Sequence, residues 1–315
     1  MRAAVVDRYG GPEVVHIAEV ARPEPRADEV LVRVQAVAVT SADSRIRGAR
    51  FPAGFGFLAR LVFGIVRPRR PILGSSFSGV VEIVGARVSG LAPGDEVCGM
   101  TGTKLGAHAE YLAVSTKKVT RKPPGLTHED AAGLLFGGTT ALFFLRDKAS
   151  VGPGTSVLVN GASGAIGTNA VQLAKHLGAT VTGVTSGANA ALVAKLGADR
   201  VLDYTTQDLT ATPQRFDVVL DTVGNLSITS GRRLLRGQGV LLLAVANLGD
   251  TIRPRGNVVA GTAPERVDDF DLLLQLAADG EITVVNDETY DLDDIADAHR
   301  RVDSGHKVGN IIVRA

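Results

Sequence analysis

The sequence has very little cysteine, no tryptophan and almost no net charge. One cysteine, Cys98, stands among 315 residues, which excludes an internal disulfide and a multi-cysteine zinc site. A formal net charge of +1 argues against a general nucleic-acid-binding protein. No uncharged apolar stretch reaches the roughly 18 residues that a membrane-spanning helix needs. Asp7 and Arg8 interrupt the first apolar stretch, so we expect no secretory signal and an intracellular, cytoplasmic protein.

The pattern of the chain predicts two kinds of structure. Hydrophobic residues make up 45%, enough for a sizeable core in one large or two medium domains. Residues 1–123 are β-rich, whereas strand-like and helix-like segments alternate from residue 124, which predicts a doubly wound parallel sheet. Its segments are 156–160, 165–177, 181–185, 189–196, 200–203, 216–221, 228–235, 240–245 and 257–261. A helix over 268–278, a strand over 282–285, a helix over 295–302 and a strand over 310–313 are predicted to follow.

A glycine-rich turn joins the apolar strand 156–160 to the helix 165–177 with GxxGxxG spacing. Small residues let the backbone approach a pyrophosphate, and the start of the helix supplies free N–H donors. The turn therefore predicts a dinucleotide site. Its members are Gly161, Ala162, Ser163, Gly164, Ala165, Ile166 and Gly167. The alternative is a tight turn that binds nothing.

The residues after this turn favour NADPH over NADH. An NAD site usually has Asp or Glu about 20 residues beyond the glycines, where it binds the ribose 2′-hydroxyl. No acidic residue occurs between Gly161 and Ala198. The next strand ends in Thr185-Ser186-Gly187, where hydroxyl and backbone N–H groups suit a 2′-phosphate. Ser186 alternatively caps the following helix.

These features together resemble the medium-chain dehydrogenase/reductase superfamily, and within it the zinc-free quinone oxidoreductases similar to the chloroplast-envelope quinone oxidoreductase homologue. The stretches that carry the resemblance are 9–14, 93–97, 109–111, 137–142, 196–199, 221–224 and 298–299. The family implies a GroES-like β-barrel domain over 1–123, a Rossmann NADP-binding domain over 124–262 and a return to the first domain over 263–315. It also implies NADPH-dependent reduction of quinones or of the C=C bond of activated enals and enones.

The resemblance also implies that no metal takes part. Zinc-dependent members have cysteine near Thr40-Ser41 and Gly-His-Glu at Gly74-Ser75-Ser76, and this chain has neither. A catalytic zinc needs about three protein ligands. A cluster of Cys98, His108 and Glu110 is the alternative, but we expect these side chains to pack or to face solvent.

Thr40, Asp43 and Arg47 are the catalytic candidates. They lie in 39–47, which resembles the Val-Asn-x-x-Asp-x-x-x-Arg segment beside the nicotinamide. Thr40 replaces the asparagine, and its hydroxyl can donate to a substrate carbonyl, or it is an ordinary strand threonine. We expect Asp43 and Arg47 to form a structural ion pair. Thr140 resembles the threonine that bonds the nicotinamide carboxamide, or it satisfies local backbone near a helix N-terminus.

Other predicted cofactor-binding positions follow the parallel strands. They are Thr185, Ser186, Tyr204, Thr222, Val223, Ala244, Val245 and Asn310. Two positions depart from the family: Ala188 stands where close relatives have an arginine that binds the 2′-phosphate, and Asn310 stands where they have lysine. Lys195 is the nearest following cation.

The segment 51–71 is rich in phenylalanine and arginine. It is interpreted either as an apolar lip that admits a lipophilic substrate or as a helix packed on the barrel with solvated arginines; contact with a membrane surface is a third interpretation. The apolar strand 240–245 is predicted near the sheet edge. Because such an edge exposes unpaired backbone groups, we expect a homodimer.

The leading hypothesis is an NADPH-dependent reductase of a small lipophilic quinone or enone. The alternatives are an enzyme of the same fold that acts on one bulky natural product, and a non-catalytic NADPH-binding protein.

Overall fold

The computed structural model describes residues 1–247, 249 and 256–315. The described strands are β1 (Arg2–Val6), β2 (Val15–Glu19), β3 (Glu29–Val39), β4 (Ser76–Val84), β5 (Glu96–Met100), β6 (Tyr111–Ser115), β7 (Val119–Arg121), β8 (Ser156–Asn160), β9 (Thr180–Thr185), β10 (Arg200–Asp203), β11 (Phe216–Asp221), β12 (Leu235–Leu243), β13 (Val258–Ala260), β14 (Asn286–Asp291) and β15 (Asn310–Arg314). The described α-helices are α1 (Ser41–Arg47), α2 (Gly56–Phe63), α3 (His128–Leu142), α4 (Ala165–His176), α5 (Ala190–Lys195), α6 (Ile228–Arg233), α7 (Val267–Ala278) and α8 (Ile295–Asp303).

Strands from both ends of the chain build one mostly antiparallel sheet. Its order is β14-β15-β3-β4-β5-β7, and β6 also pairs with β3. Val30, Val32 and Val34 of β3 are buried, as suits β-branched side chains in a sheet that is covered on both faces. Helix α3 packs against β3, β4 and β15. The β-rich first region therefore forms as predicted, and the end of the chain returns to it.

The second sheet is parallel throughout, in the order β10-β9-β8-β11-β12-β13. Val157, Leu158 and Val159 of β8 are fully buried, because helices cover both faces of such a sheet. The chain winds outward from β8 in both directions, which leaves a crevice at the carboxyl ends of β8 and β11. This confirms the predicted doubly wound sheet.

Residues 282–285 are not a strand, so that prediction is wrong. The side chain of Gln172 in α4 accepts a hydrogen bond from the Thr283 N–H at 2.7 Å and donates to the Thr283 carbonyl at 2.9 Å. The Gln172 side chain thus pairs with the backbone groups that a neighbouring strand would otherwise bind. The strand β14 begins at Asn286, in a polar sequence that fits its position at the sheet edge.

The segment 240–245 lies near the edge of its sheet, as predicted, but it is not the edge strand itself. Residues 240–243 belong to β12, which pairs with β11 on one side and with β13 on the other, where Leu241 lies opposite Val258. Among the described strands, the edge strand on this side of the sheet is β13 (Val258–Ala260). The argument that unpaired backbone groups favour a homodimer therefore applies to β13.

Helix α2, in the segment 51–71, has no fully buried residue, but Phe63 at its end is partly buried against the hydrophobic core of the first sheet, as is Phe51. The predicted packing on the barrel is therefore confirmed for the end of the helix, whereas its other large apolar side chains are exposed. The Phe57 side chain is 75% exposed, and the described attachment of the helix includes a stack of Phe63 on Phe51 with ring centroids 6.0 Å apart. Within the described residues, no helix is long and apolar enough to span a membrane.

Candidate active site

A cleft of about 1240 Å³ lies between the carboxyl ends of the parallel strands and the end of β3. Most of the predicted site residues line it. These are Thr40, Thr140, Gly161, Ser163, Gly164, Ala165, Ile166, Thr185, Ser186, Tyr204, Thr222, Val223, Ala244, Val245 and Asn310. Asp43, Arg47, Ala162 and Gly167 are not among the residues that line it.

The glycine-rich turn owes its shape to close backbone packing. Gly161 has a φ of +82°, and a side chain there would meet Thr222 Oγ1 at 2.5 Å. A Cβ on Gly167 would lie 2.0 Å from the Gly161 carbonyl oxygen, so Gly167 lets α4 begin directly against the turn. Ala162 is fully buried and donates its N–H to the Val184 carbonyl at 2.9 Å. Gly167 and Ala162 therefore shape the turn.

Ser163 connects the turn to β9 and to the end of the chain. Its hydroxyl oxygen accepts from Thr185 Oγ1 at 2.8 Å and from Asn189 Nδ2 at 3.3 Å. Its carbonyl accepts from the Gly309 N–H at 2.8 Å. Residues 305–308 consequently line the cleft, although their sequence gave no local motif for a site.

Lys307 is one of these unpredicted cleft residues. Its ammonium donates to the Gly309 carbonyl at 2.6 Å, and burial lowers its pKa to about 8. A cation beside the start of α4 suits an anionic ligand, since the helix dipole acts in the same direction.

The buried carboxylate of Asp221 fixes the loop that follows β11. It accepts hydrogen bonds from the backbone N–H groups of Val223, Gly224 and Leu226, each at 3.0 Å, and from Asn160 Nδ2 at 2.9 Å. Thr222 and Val223 are thereby held on the wall of the cleft.

Thr40 is the N-cap of α1 rather than a strand residue. Its hydroxyl donates to Asp43 Oδ2 at 2.6 Å, and its N–H donates to the same oxygen at 2.8 Å. Asp43 Oδ1 accepts from the Gly74 N–H at 2.9 Å. The one proton of the Thr40 hydroxyl is therefore directed at Asp43 and not at the cleft.

Arg47 does not pair with Asp43, so the predicted ion pair is wrong. Its fully buried guanidinium binds Asp303 of α8 at 2.5 Å. Asp43 is instead occupied by the backbone and hydroxyl donors of Thr40 and by Gly74, which satisfy the carboxylate without a cation.

Arg45, on the same helix as Asp43, was not predicted but faces the cleft. Its side chain is half-buried and has no hydrogen bond or ion pair with any described residue. Burial lowers the pKa of its guanidinium. It also lines a second cavity of about 680 Å³, which shares Asn225, Leu226 and Val245 with the cleft and to which Phe51 contributes.

Thr140 lies in the last turn of α3, not at a helix N-terminus as its alternative interpretation required. Its hydroxyl donates to the Phe136 carbonyl at 2.8 Å. The lone pairs of the oxygen remain available to accept from a donor in the cleft, such as a carboxamide NH₂ group.

Cys98, His108 and Glu110 occupy separate environments. Cys98 is buried on β5, and burial raises its pKa to about 12. Glu110 accepts from Arg2 Nε at 2.9 Å, and His108 is buried beside His299, with ring centroids 5.6 Å apart. No group of three or more His, Cys, Asp or Glu side chains placed to hold a metal occurs in the described part of the chain.

The cleft fits an extended dinucleotide. A Cβ on Gly164 would meet no atom closer than 3.5 Å, so the surface over the start of α4 is open, and the first N–H groups of this 12-residue helix have no intrahelical partners. The switch point between β8 and β11 is where open parallel sheets bind such ligands.

Comparisons with known proteins agree with this architecture. Residues 26–124 match the family model "Alcohol dehydrogenase GroES-like domain", and residues 196–313 match "Zinc-binding dehydrogenase". The 2-methylene-furan-3-one reductase of Solanum lycopersicum is 31% identical over 99% of this chain and 79% of its own. The mitochondrial NAD(P)H oxidoreductase RTN4IP1 of Homo sapiens is 31% identical over 99% of this chain and 89% of its own.

A solved structure shows the same fold over the whole length. The quinone oxidoreductase of Coxiella burnetii superposes with a TM-score of 0.88 at 26% identity, covering 100% of this chain and 99% of that one. A GroES-like region joined to a Rossmann-like sheet defines the class of this protein as a nicotinamide-dependent oxidoreductase. The chain belongs to the medium-chain dehydrogenase/reductase family, in its quinone oxidoreductase branch.

Proposed function

We propose that the protein is an NADPH-dependent reductase of quinones or of the activated C=C bond of enals and enones, and that it works without a metal. The observation that carries the proposal is Arg45, a half-buried cation that has no partner among the described residues and lies at the junction of the dinucleotide cleft and the second cavity. Relatives named as a furanone reductase and as a quinone oxidoreductase support the substrate class.

Several residues would hold the dinucleotide. The open start of α4 and Lys307 would hold its pyrophosphate, Thr140 would accept from the carboxamide, and Thr185 and Ser186 at the end of β9 would hold the adenosine ribose. When bound, reduced nicotinamide supplies a hydride. The absence of an acidic residue on β9 supports NADPH as the preferred donor.

Arg45 stabilises the charge that develops on the substrate. Hydride addition to the β-carbon of an enone moves an electron pair onto the carbonyl oxygen, and a guanidinium donor there favours that change. A proton from water then completes the saturated carbonyl, or the hydroquinone when a quinone is reduced. In our proposal Asp43 and the Thr40 cap position Arg45 by fixing α1, and Thr40 itself does not donate.

The residues support chemistry without a metal. At positions where zinc-dependent relatives have ligands, Ser76 donates to the Ala132 carbonyl at 2.5 Å and Thr40 donates to Asp43. Purified enzyme is expected to contain no stoichiometric zinc, and a chelator should leave turnover unchanged. Zinc at one equivalent with chelator-sensitive turnover would contradict this.

Stopped-flow oxidation of bound NADPH with a panel of quinones and enones tests the reaction. We expect single-turnover oxidation by at least one class, and NADPH binding at least several-fold tighter than NADH binding in a fluorescence titration. Tight NADPH binding without oxidation by any acceptor would favour a non-catalytic binding protein.

We also propose the division into 1–123, 124–262 and 263–315, and a homodimer that pairs the edge strand Val258–Ala260 across a two-fold axis. Solution scattering at micromolar concentration should give the mass of two chains, and a monomer would refute the pairing.

A further inference from the structure

Exposed hydrophobic side chains are concentrated in one short segment of the chain. Six of the ten large hydrophobic side chains that are exposed in the described part of the chain lie within residues 57–66. They are Phe57, Leu58, Leu61, Val62, Ile65 and Val66. Single exposed hydrophobic side chains are ordinary on a protein surface, whereas a dense group of them marks a binding surface. None of the six lines the cleft or the second cavity, so this surface is separate from the candidate active site.

Helix α2 holds four of these side chains on its solvent side. Their spacing is i, i+1, i+4 and i+5, which places them on one face of a helix. The helix is attached at its end through Phe63, which packs against the core of the first sheet. The Tyr9 hydroxyl donates to the Gly64 carbonyl at 2.6 Å and fixes the turn that follows. The apolar face is therefore held toward solvent.

The same segment carries positive charge that its own carboxylates do not balance. Residues 44–81 contain seven arginines and no aspartate, glutamate or lysine. Four of these arginines lie among or just after the apolar side chains and are exposed, namely Arg60, Arg67, Arg69 and Arg70. None of the four forms an ion pair with a described residue, although Arg60 donates to the Ile65 carbonyl at 3.0 Å. The exposed side chains of residues 57–70 thus form an apolar–basic surface.

A second copy of this chain does not suit the apolar–basic surface. A two-fold axis would place the same patch of both chains face to face. The exposed arginines of the two chains would then meet without a carboxylate from this segment, and like charges in an interface oppose association. An anionic lipid surface has no such conflict, because its headgroups carry negative charge and its acyl boundary accepts apolar side chains.

We propose that the apolar–basic surface docks the protein on an anionic lipid membrane, with the apolar side chains at the acyl boundary and the four arginines on lipid phosphates. The contact is peripheral, since no helix among the described residues is long and apolar enough to cross a membrane. Phe51, Pro52 and Ala53 lie just before this surface in the chain and line the second cavity together with Arg45. A lipophilic acceptor from the membrane would enter there, a consequence that rests on the proposed function.

Sedimentation of the full protein with lipid vesicles tests the docking. Vesicles of phosphatidylcholine and phosphatidylglycerol, in a ratio of about three to one, should bind about ten-fold more protein than pure phosphatidylcholine vesicles, because each arginine near an anionic surface adds to the binding. Raising sodium chloride from about 50 mM to about 500 mM should remove most of this difference. Equal binding to both kinds of vesicle, or binding to neither, would overturn the inference.

The apolar contribution is measured with a double variant. Phe57→Gln with Val62→Gln should lower binding to the anionic vesicles about ten-fold, because these exposed side chains no longer enter the acyl boundary. Ile83→Gln with Leu272→Gln is the matched control, since both side chains are exposed and lie outside residues 57–70. The control should bind as the wild type does, and an equal loss in both double variants would contradict the proposal.

The basic contribution is measured in the same way. Arg69→Gln with Arg70→Gln should lower binding to the anionic vesicles about ten-fold and weaken its salt dependence. Lys117→Gln with Lys195→Gln removes two exposed cations elsewhere in the chain and should leave binding unchanged. All the substituted side chains are exposed, so thermal melting should match the wild type. Unchanged binding in the arginine variant would overturn the role of the basic residues and with it the inference.

Two further outcomes are distinct. If the vesicles bound no protein and Phe57→Gln with Val62→Gln converted a dimer into a monomer, the surface would be an interface between copies of the chain and the inference would be wrong. Oxidation of NADPH by a quinone without any vesicle binding would overturn the docking alone. Vesicle binding without oxidation by any acceptor would support the docking and refute the proposed reductase.

Discussion

The buried guanidinium of Arg47 is bound by Asp303 at 2.5 Å, although 256 residues separate the two along the chain. The contact joins α1, which carries Arg45 toward the cleft, to α8 near the end of the chain. The position of the proposed substrate-binding cation therefore depends on the C-terminal region.

Removing the charge of Asp303 should strongly destabilise the protein. Asp303→Asn leaves the fully buried Arg47 without its anion, which typically costs about 3 to 5 kcal/mol. Arg50 binds the same carboxylate at 2.9 Å, but its side chain is 58% exposed, so Arg50→Gln should cost under about 1 kcal/mol. Urea unfolding measures both, and equal losses would contradict the structural role of Arg47.

Substitution of Arg45 should lower the catalytic rate, whereas substitution of Thr40 should lower stability. Arg45→Gln should lower kcat for an enone by roughly 10²-fold, the typical loss for one charge-stabilising donor, with cofactor affinity unchanged. Thr40→Val should instead lower stability by about 1 to 2 kcal/mol, because it removes the cap of α1, while Thr40→Ser keeps the cap. Steady-state rates measure the first effect, and thermal melting measures the second. A 10²-fold kcat loss in a fully folded Thr40→Val, together with an unchanged kcat in Arg45→Gln, would return the donor role to Thr40.

Stability should fall at mildly acidic pH because of His299. Its two ring nitrogens are buried and have no hydrogen-bond partner in the part of the chain that the structure describes, and burial lowers its pKa well below the usual value. Below about pH 6.5 the unfolded chain binds a proton at this ring that the folded chain does not, so the free energy of unfolding decreases by up to about 1.4 kcal/mol per pH unit for this group.

Replacement of His299 by phenylalanine should therefore reduce the pH dependence of unfolding between pH 7 and 5. The exposed His16 provides the control, since His16→Gln should retain the wild-type slope. Urea midpoints at each pH give the comparison. An unchanged slope in His299→Phe would assign the acid sensitivity to other groups, with the buried His108 as the first to test.

Local patterns predicted the parts of the site that a short segment builds by itself. The turn from Gly161 to Gly167 was predictable because its glycines meet constraints within a few residues. The place of Lys307 was not, because the hydrogen bond from the Gly309 N–H to the Ser163 carbonyl brings together segments that are far apart in the chain. Arg47 was assigned to Asp43, four residues away, because sequence proximity carries no information about α8.

The same limit explains the errors in the fold. The apolar run 282–285 has strand-like composition, yet a single side chain, Gln172, satisfies its backbone at Thr283. The polar strand β14 lacks that composition because it lies at a sheet edge. In the segment 51–71, Phe51, Pro52 and Ala53 line the second cavity. The hypothesis of an apolar lip therefore applies to these three residues.

Cofactor affinity should weaken as pH rises from 7 to 9, because Lys307 loses its charge there. Burial lowers the pKa of this ammonium to about 8, so it is mainly protonated at pH 7 and mainly neutral at pH 9. A protonated Lys307 beside the turn at Ser163 attracts an anionic dinucleotide, and a neutral one does not. Lys307→Met should bind NADPH several-fold more weakly at pH 7 and show little change up to pH 9.

Lys195→Met, altered on the exposed face of α5, should keep the wild-type pH dependence. Fluorescence titration across this range is decisive, because the Cys98 thiol, with a pKa of about 12, does not titrate within it. If Lys307→Met kept the full decline in affinity, the cation responsible would lie elsewhere in the cleft.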